Sequence, residues 1–378
     1  MEHPSLDEFV MSPEIFQKVL HPAGIEVNGG RPEDLRVHRE EFYERVLSGG
    51  SLALGESFME RLWDCEALDT FFYKILRAGI ANRFPPWRVA LAALQTRVLN
   101  PQSRRRARRV AELHYDLGND FYEKMLGPTM QYTCGYWRRA KNLDEAQEDK
   151  LDLICRKLQL KPDDRVLEMG GGWGGFARFA AERYGCHVTS YNISKEQVKY
   201  AREWTRGLPV EIIEKDYREA TGSFDKVVSI GMCEHVGVKN YRSWFELQER
   251  CLKPGGLMLL HTIGRNTPAK VSDPWITKYI FPGGILPCLK QLMEAAQGLF
   301  VLEDLHNIGP DYDRTLLAWY ENYRELLRKK ADQLGDRFDR MWTYYLLSCA
   351  GAFRARSLQL WQLVFSKEGH VNGYIPER

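Results

Sequence analysis

The stretch from residue 165 to 184 restricts the fold more than any other part of the sequence. RVLEM (165–169) is typical of a buried strand, five of the next six residues are glycine, and GFARFAAERY (175–184) has a helical pattern. Gly170, Gly172 and Gly175 satisfy GxGxxG between a strand and a helix, the context that this motif requires. Such glycines permit a tight turn and a close approach of backbone to ligand. The stretch predicts a ligand-binding turn, with a purely structural turn as the alternative.

Strand-like and helical segments alternate on both sides of this turn. CHVTSY (186–191), VEIIEKD (210–216), FDKVVSIGM (224–232) and GGLMLLHTI (255–263) are typical of strands. SKEQVKYAREW (194–204), with Ser194 as the expected N-cap, and NYRSWFELQERCL (240–252) are typical of helices. Alternation of this kind predicts parallel strands in a wound α/β sheet.

The first hundred residues have a different character. ESFMERLWDCEALDTFFYKIL (56–76) places apolar residues at helical intervals, which predicts an amphipathic helix, and FPPW (84–87) interrupts the helical pattern. RRRARR (104–109) then packs five arginines into six residues. This run is either a solvated helix face or a contact with an anionic surface, for which phospholipid headgroups fit better than nucleic acid. We expect an N-terminal domain over 1–98, an Arg-rich linker over 99–112 and a catalytic domain over 113–378.

Length and composition exclude several classes of protein. The 378 residues, 44% of them hydrophobic, are enough for two cores, and a net charge of +2 indicates no particular partner. The longest apolar runs, such as VALAAL (89–94), are too short for a bilayer span, and no signal peptide is evident at the start of the sequence. Eight cysteines without a CxxC pair argue against a disulfide framework and a structural zinc site. We therefore expect a cytoplasmic protein with reduced thiols and no bound metal.

The charges around the glycines indicate which nucleotide they hold. A dinucleotide brings a pyrophosphate, and an acid usually ends the second strand to bind its ribose. Here Glu168 precedes the glycines by two residues, and the second strand ends in Tyr191 and Asn192. S-adenosylmethionine is cationic and has no phosphate, so an acid beside the turn favours it over NAD. Asp216, after the third strand, is placed to accept from the adenine amino group.

Four further polar stretches have no obvious structural purpose: QYTCGYW (131–137), GMCEHVG (231–237), LHTIG (260–264) and AWYENY (318–323). Ligands of wound sheets bind at the carboxyl ends of strands, so Glu234 and His261 are expected to face the same crevice as the glycines. A zinc site built from Cys, His and Glu is an alternative, although no pair has metal-like spacing.

With these motifs in order, the chain resembles the cyclopropane-fatty-acyl-phospholipid synthases and the related mycolic acid cyclopropane synthases and methyltransferases. HYDLGNDFY (114–122), GGGWGG (170–175), DPWITKYIFPGGILP (273–287) and GAFRAR (351–356) extend the match beyond the four polar stretches. The resemblance implies a Rossmann-like class I S-adenosylmethionine-dependent methyltransferase fold with a smaller, mainly helical N-terminal domain. It implies methylene transfer to a cis double bond of phospholipid acyl chains, with bicarbonate as general base. It also implies a homodimer. We further expect the protein to act at the inner face of the membrane and to bind no nucleic acid.

Site residues follow from the resemblance, position by position. The cofactor contacts that it implies are Tyr132, Thr133, Glu168, Gly170, Gly172, Gly174, Asn192, Gln197 and Asp216. The bicarbonate pocket that it implies consists of Cys134, Glu234, His261, the backbone of Ile263, and Tyr320. Aromatic candidates for stabilising a carbocation on the acyl chain are Tyr136, Trp137, Phe281 and Tyr320.

Three positions depart from the family pattern. Gly171 stands where Cys is common, Glu168 where Asp is common, and Asn192 where Thr is common. These departures bear on cofactor affinity more than on the type of reaction. Two other enzymatic functions stay open: methylation that stops at a methyl or methylene branch, and methylation of a small metabolite. A membrane-binding protein with a vestigial cofactor fold is a third alternative.

Overall fold

The structure, a computed structural model, describes residues 13–80, 117–268 and 272–378, apart from the side chains of residues 329–333. FPPW (84–87), the arginine run 104–109 and the predicted linker 99–112 lie outside the described residues. The domain boundaries expected near residues 98 and 113 therefore stay predictions.

Two sheets are formed by the described strands: β1 (Arg36–Val37), β2 (Trp63–Asp64), β3 (Arg165–Met169), β4 (His187–Asn192), β5 (Val210–Glu214), β6 (Phe224–Ile230), β7 (Leu252–Gly264), β8 (Val301–Asn307) and β9 (Gln359–Ser366). The larger sheet has the order β5-β4-β3-β6-β7-β9-β8. Its strands β3 to β7 are parallel, as the alternation predicted. Because β4 and β6 flank β3 on opposite sides, the strand order reverses there, which opens a crevice at the carboxyl ends.

The far edge of this sheet differs from the prediction of parallel strands alone. β9 pairs antiparallel with β7, and β8 pairs antiparallel with β9. Gln359–Ser366 is buried along its whole length, so it lacks the alternation of exposed and buried residues that marks a half-buried strand. This edge places Gln362 directly opposite His261.

Helices cover both faces of the larger sheet and form a separate helical layer: α1 (Pro13–Leu20), α2 (Glu41–Met59), α3 (Leu68–Arg77), α4 (Asn119–Leu126), α5 (Leu143–Lys157), α6 (Gly175–Tyr184), α7 (Lys195–Trp204), α8 (Tyr241–Cys251), α9 (Pro274–Tyr279), α10 (Leu289–Ala296), α11 (Gly309–Leu334) and α12 (Asp336–Arg354). Short 3₁₀ turns lie at His21–Ala23, Tyr217–Glu219, Cys233–His235 and Val238–Asn240. Within the described ranges, no helix has the length and apolar character needed to cross a membrane.

Side chains of successive strand residues pack into different layers, as the pleat of a strand requires. Val166 packs with α5 and α6 on one face, whereas Leu167 packs with α8 and α10 on the other. Helix α6 begins at Gly175 and ends at Tyr184, as predicted. Ser194 occupies the predicted N-cap position of α7, but its side chain makes no capping hydrogen bond.

The N-terminal helices share one apolar cluster with the helices at the other end of the chain. Phe58, Trp63 and Phe72 belong to the same cluster of buried residues as Trp319 on α11 and Tyr344 on α12. Phe72 meets the Tyr344 ring edge-on at 5.2 Å. The N-terminal part is thus mainly helical and packs directly on α12.

The predicted helix over 56–76 is wrong in its middle. Helix α2 ends at Met59, β2 follows, and α3 begins at Leu68. Arg61 has φ +59°, its N–H donates to Phe58 O at 3.1 Å, and the Leu62 N–H donates to Ser57 O at 2.9 Å. These bonds form a Schellman motif, which ends a helix. Glycine usually occupies the left-handed position after a helix. Because arginine occupies it here, the sequence contains no signal that α2 ends at this point.

Candidate functional site

The predicted ligand-binding turn lies in a cavity of about 440 Å³ at the carboxyl ends of β3, β4, β6 and β7. That volume is within the range of small-molecule sites. Most residues predicted for the two sites line this one cavity: Tyr132, Thr133, Glu168, Gly170, Gly172, Asn192, Gln197, Asp216, Glu234, His261 and Ile263.

The glycine turn is tied to the neighbouring strand through its backbone. The Gly170 N–H donates to Tyr191 O at 2.9 Å, and Gly170 has φ +85°, a conformation that favours glycine. Asn192 Nδ2 donates to Gly172 O and to Gln197 Oε1, each at 2.9 Å, and Asn192 Oδ1 accepts from the Ser194 N–H. Both amide hydrogens of Asn192 are therefore used, so it can meet a ribose hydroxyl only as an acceptor. Gln197 keeps its own amide nitrogen for that purpose.

A buried carboxylate lies beneath the turn. The Ser190 hydroxyl donates to Glu168 Oε2 at 2.7 Å, and Glu168 is 3% exposed. Burial raises the pKa of Glu168 to about 7, against the opposing effects of the Ser190 hydrogen bond and the Lys150 charge. Because a carboxyl group with this pKa titrates near neutrality, a bound cation favours its ionised form.

Lys150 is a functional candidate that the sequence reasoning missed. Its ammonium is fully buried and donates to Gln131 Oε1 at 2.5 Å and to Thr133 Oγ1 at 2.9 Å. Burial lowers the pKa of Lys150 to about 7. Because Gln131 and Thr133 both line the cavity, Lys150 holds this part of its wall without itself lining the cavity. A single lysine within the helical pattern of α5 gives no sequence signal of this role.

Asp216 stands at the start of a 3₁₀ turn after β5. Its carboxylate accepts from the backbone N–H of Arg218 at 3.0 Å and from the Arg218 guanidinium at 2.9 Å. It is largely buried and lines the cavity. The arginine therefore holds the carboxylate at the rim, with acceptor capacity left for a ligand.

Glu234 and His261 line the same cavity as the glycine turn, as predicted. The Ile263 N–H donates to Glu234 Oε1 at 2.7 Å, so the backbone of Ile263 orients the carboxylate. Burial raises the pKa of Glu234 to about 7, whereas burial lowers the pKa of His261 well below its usual value. Glu234 Oε2 and His261 Nε2 are buried and have no hydrogen-bond partner among the described residues.

Three predicted site residues do not line the cavity. Gly174 precedes α6 and packs beside α7, where a Cβ would lie 3.0 Å from that of Ala201. Cys134 is fully buried behind the wall, with its thiol donating to Gly135 O at 3.2 Å. Burial raises the pKa of the Cys134 thiol well above its usual value, so it stays neutral.

Tyr320 is the third predicted site residue that does not line the cavity. It lies on α11, on a part of the helix that does not line the cavity. The charges of Arg324 and Asp339 act on its hydroxyl, and both residues lie outside the lining. Tyr312, eight residues earlier on the same helix, lines the cavity. Burial raises the pKa of Tyr312 and the charge of Glu234 adds to this rise, so the Tyr312 hydroxyl lies within electrostatic reach of Glu234.

The aromatic candidates are similarly divided. Phe281 lines the cavity, but Tyr136 and Trp137 do not: Tyr136 packs against His306, and Trp137 Nε1 donates to Thr315 Oγ1. Aromatic residues that the sequence did not single out take their place. They are Trp173, Tyr312, Tyr345 and Phe353. The cavity therefore joins a polar half at the glycine turn to an apolar, aromatic half beneath α11 and α12.

Comparison with known proteins gives matches along most of the chain. A family model described as mycolic acid cyclopropane synthetase matches residues 102–363. The cyclopropane-fatty-acyl-phospholipid synthase of Escherichia coli K12 is 51% identical over 360 residues, which are 95% of this chain and 94% of that protein. A probable fatty acid methyltransferase of Pseudomonas putida is 38% identical over 275 residues, 68% of this chain and 69% of that protein.

A solved structure shows the same architecture. Mycolic acid cyclopropane synthase CmaA1, complexed with SAH and CTAB, matches with a TM-score of 0.64 at 30% identity. The match covers 69% of this chain and 98% of that one. It confirms the prediction of a Rossmann-like α/β fold.

Proposed function

The chain belongs to the mycolic acid cyclopropane synthetase family and is an S-adenosylmethionine-dependent transferase, and from this premise we propose its reaction. It transfers a methylene group to the cis double bond of unsaturated acyl chains in membrane phospholipids, with bicarbonate as general base. The E. coli relative, named a cyclopropane-fatty-acyl-phospholipid synthase, supports the acceptor.

One observation carries the proposal of a bound base. Glu234 Oε2 and His261 Nε2 are buried polar atoms without a partner among the described residues, and both side chains line the same cavity. Leaving a buried polar atom unpaired costs about 1–3 kcal/mol. A small ligand with both a hydrogen-bond donor and acceptors removes this cost for both atoms.

Bicarbonate has that combination, because it carries one hydroxyl and two further oxygens. The ionised Glu234 carboxylate accepts from the hydroxyl, while His261 donates to an anionic oxygen. The Tyr312 hydroxyl is the second donor that we assign, in place of Tyr320. Burial raises the pKa of Tyr312 well above its usual value, so the hydroxyl keeps its proton.

A bound base suits the chemistry better than a side chain acting alone. Addition of a methyl group to an alkene leaves a carbocation on the acyl chain, and ring closure then removes a proton from that methyl group. A carboxylate side chain beside this cation would collapse onto it as an ester. Glu234 therefore orients the base and does not touch the acyl chain, although the reaction depends on it.

The polar half of the cavity fits S-adenosylmethionine, which supplies a methyl carbon on a sulfonium leaving group when bound. Glu168 at the turn can ionise against the positive charge of the cofactor, and the Asp216 carboxylate, held by Arg218, lines the same cavity. We propose that Tyr132 and Thr133 contact the methionine portion, that Gln197 and Asn192 contact the ribose, and that Asp216 contacts the adenine. The family match to a structure holding SAH supports this assignment.

The apolar half of the cavity fits an acyl chain. Phe281, Tyr345 and Phe353 line it, together with Leu316 and Leu360. Such a lining excludes water, which would otherwise quench the cation as an alcohol. Aromatic faces also stabilise positive charge through their quadrupoles.

Access to phospholipid requires contact with a membrane surface. We propose that the enzyme works in the cytoplasm, peripherally on the inner face of the membrane, where the arginines of 104–109 meet anionic headgroups. The homodimer implied by the resemblance is part of the same proposal.

Product analysis with vesicles tests the reaction. The purified protein, S-adenosylmethionine and bicarbonate are incubated with vesicles of cis-unsaturated phospholipid, and the released fatty acids are examined by mass spectrometry and a chemical test for double bonds. We expect the mass of one added methylene group with the double bond lost, and little of this product with Glu234→Gln. Glu211→Gln, which changes an exposed glutamate on β5, is the matched control.

Other outcomes would select another function. The same mass with a double bond retained would mean branch methylation. No lipid product would favour a small-metabolite methyltransferase or a protein without catalytic activity.

A further inference from the structure

A buried glutamine contacts the histidine of the site from the side away from the cavity. Gln362 on β9 lies directly opposite His261 on β7, and both side chains are buried. The distance from Gln362 Nε2 to His261 Nδ1 is 3.3 Å. The other ring nitrogen, His261 Nε2, has no hydrogen-bond partner among the described residues.

This contact determines which nitrogen carries the proton. In this orientation of the Gln362 amide, the nitrogen that faces the ring only donates, so His261 Nδ1 accepts and carries no hydrogen. A neutral imidazole then has its hydrogen on Nε2. Burial and the charges of Lys150 and Lys157 disfavour the doubly protonated ring.

We infer that Gln362 is a positioning residue that holds His261 in the Nε2–H tautomer, so that the ring donates a hydrogen bond to the anion in the cavity. This inference rests on the proposed function, because the anion is the bicarbonate assigned above. In the opposite tautomer, a lone pair on Nε2 would face the anion and repel it. Gln362 therefore acts on the base through His261 and touches neither the cofactor nor the acyl chain.

The chain offers an informative substitution and a matched control. In Gln362→Glu, a carboxylate of similar size accepts from Nδ1 and so favours the opposite tautomer or the imidazolium. In Gln362→Met, the ring loses its partner and its fixed tautomer. The control is Gln248→Met on α8. Gln248 is also fully buried, and its Nε2 donates to Trp244 O at 3.3 Å. Like Gln362 Oε1, Gln248 Oε1 has no hydrogen-bond partner among the described residues.

Nitrogen NMR of the full-length protein labelled with ¹⁵N-histidine reports the tautomer, and the His261→Asn spectrum assigns the signal. We expect Nε2–H in the wild type and in Gln248→Met, and its loss in Gln362→Glu. Kinetics in CO₂-depleted buffer with added sodium bicarbonate give the bicarbonate dependence. By analogy with groups that orient metal-bound histidines, KM for bicarbonate should rise roughly 10- to 100-fold in both Gln362 variants. S-adenosylmethionine affinity should stay unchanged, which shows that the variants are folded.

An Nδ1–H tautomer in the wild type would overturn the inference. An altered tautomer in Gln362→Glu with the wild-type dependence on bicarbonate would overturn it equally. If the wild-type rate does not depend on bicarbonate at all, the proposed base is wrong, and the assignment of a donor role to His261 fails with it. The NMR spectrum would then still show separately whether Gln362 sets the tautomer.

Discussion

At the scale of single residues, two departures from the family pattern explain each other. A Cβ on Gly171 would lie 2.7 Å from Glu168 Oε2 and far inside contact distance of Ser190 Oγ. The Ser190 hydroxyl is held there by its hydrogen bond to Glu168. The longer glutamate and its serine partner therefore occupy the space that a cysteine at 171 would need. Aspartate, which is common in the family at position 168, has a shorter side chain. Its carboxylate would lie farther from residue 171 and would no longer hold the Ser190 hydroxyl in this place.

This coupling predicts a compensating pair of substitutions. Gly171→Cys alone should weaken S-adenosylmethionine binding, and Glu168→Asp added to it should recover most of the affinity. We expect a coupling free energy of about 1–3 kcal/mol in a double-mutant cycle measured by calorimetric titration. Gly30→Cys is the control, because a Cβ there meets no atom within 4 Å. Simple addition of the two single effects would show that the departures are independent.

Titration of Glu168 predicts how cofactor binding depends on pH. Burial raises the pKa of Glu168 to about 7, so the carboxyl is largely neutral at pH 5.5 and ionised at pH 8. Because the cofactor is a cation, its affinity should increase as pH rises through this range, by at most about tenfold per pH unit for one proton. Lys150, whose pKa burial lowers to about 7, loses its positive charge over the same range and adds in the same direction.

Calorimetric titrations between pH 5.5 and 7.5, in buffers of different ionisation enthalpy, measure both the affinity and the proton released on binding. Glu168→Gln should lose the part of the pH dependence that comes from Glu168 and keep only the part that comes from Lys150. If the affinity of Glu168→Gln for S-adenosylmethionine depended on pH as steeply as that of the wild type, the titrating group would be a residue other than Glu168.

At the scale of elements, the parallel part of the sheet was predictable because each strand is a short apolar segment followed by a recognisable helix. The edge was not, because Gln359–Ser366 is buried on both faces and includes glutamines such as Gln362, whose partner lies far away in the sequence. Tyr320 was misplaced for a related reason. A motif identifies a helix, but only the packing of α11 decides that Tyr312 faces the cavity.

Arg340 is one of the arginines that link the N-terminal elements to α12. The Arg340 guanidinium donates to Asp64 Oδ1 at 2.6 Å and to the carbonyls of Phe58 and Trp63, and it lies 4.0 Å from the centre of the Phe58 ring. Arg340→Met should lower the free energy of unfolding by about 2 kcal/mol, because buried partners lose a charged donor. Urea unfolding followed by fluorescence and circular dichroism measures it.

The exposed Arg328, paired with Glu325 on α11, provides the control Arg328→Met, which should be nearly neutral. Because the N-terminal helices share a core with α11 and α12, we expect one cooperative transition in both variants. A separate early transition in Arg340→Met would mean that the N-terminal part unfolds by itself.

At the scale of the whole molecule, the proposed reaction requires an acyl chain to leave the membrane and enter the cavity. The arginine run at 104–109 is the part of the sequence best suited to anionic headgroups, each cation contributing about 1 kcal/mol near such a surface. Replacing its five arginines with glutamine should reduce binding to anionic vesicles and flatten the salt dependence. Sedimentation with vesicles measures the binding and its salt dependence.

Substituting Lys195 and Lys199, which are exposed on α7, by glutamine is the control and should change vesicle binding little. Unchanged binding of the arginine variant would refute this docking surface.

The proposed reaction depends on an anionic base held by Glu234 Oε2 and His261 Nε2. The most direct measurement is the rate of cyclopropane formation against added bicarbonate in CO₂-depleted buffer, for the wild type and for Glu234→Gln at equal saturation with S-adenosylmethionine. We expect a wild-type rate that is low without bicarbonate and rises to saturation, and a Glu234→Gln rate that stays low at every bicarbonate concentration. A wild-type rate independent of bicarbonate would contradict it.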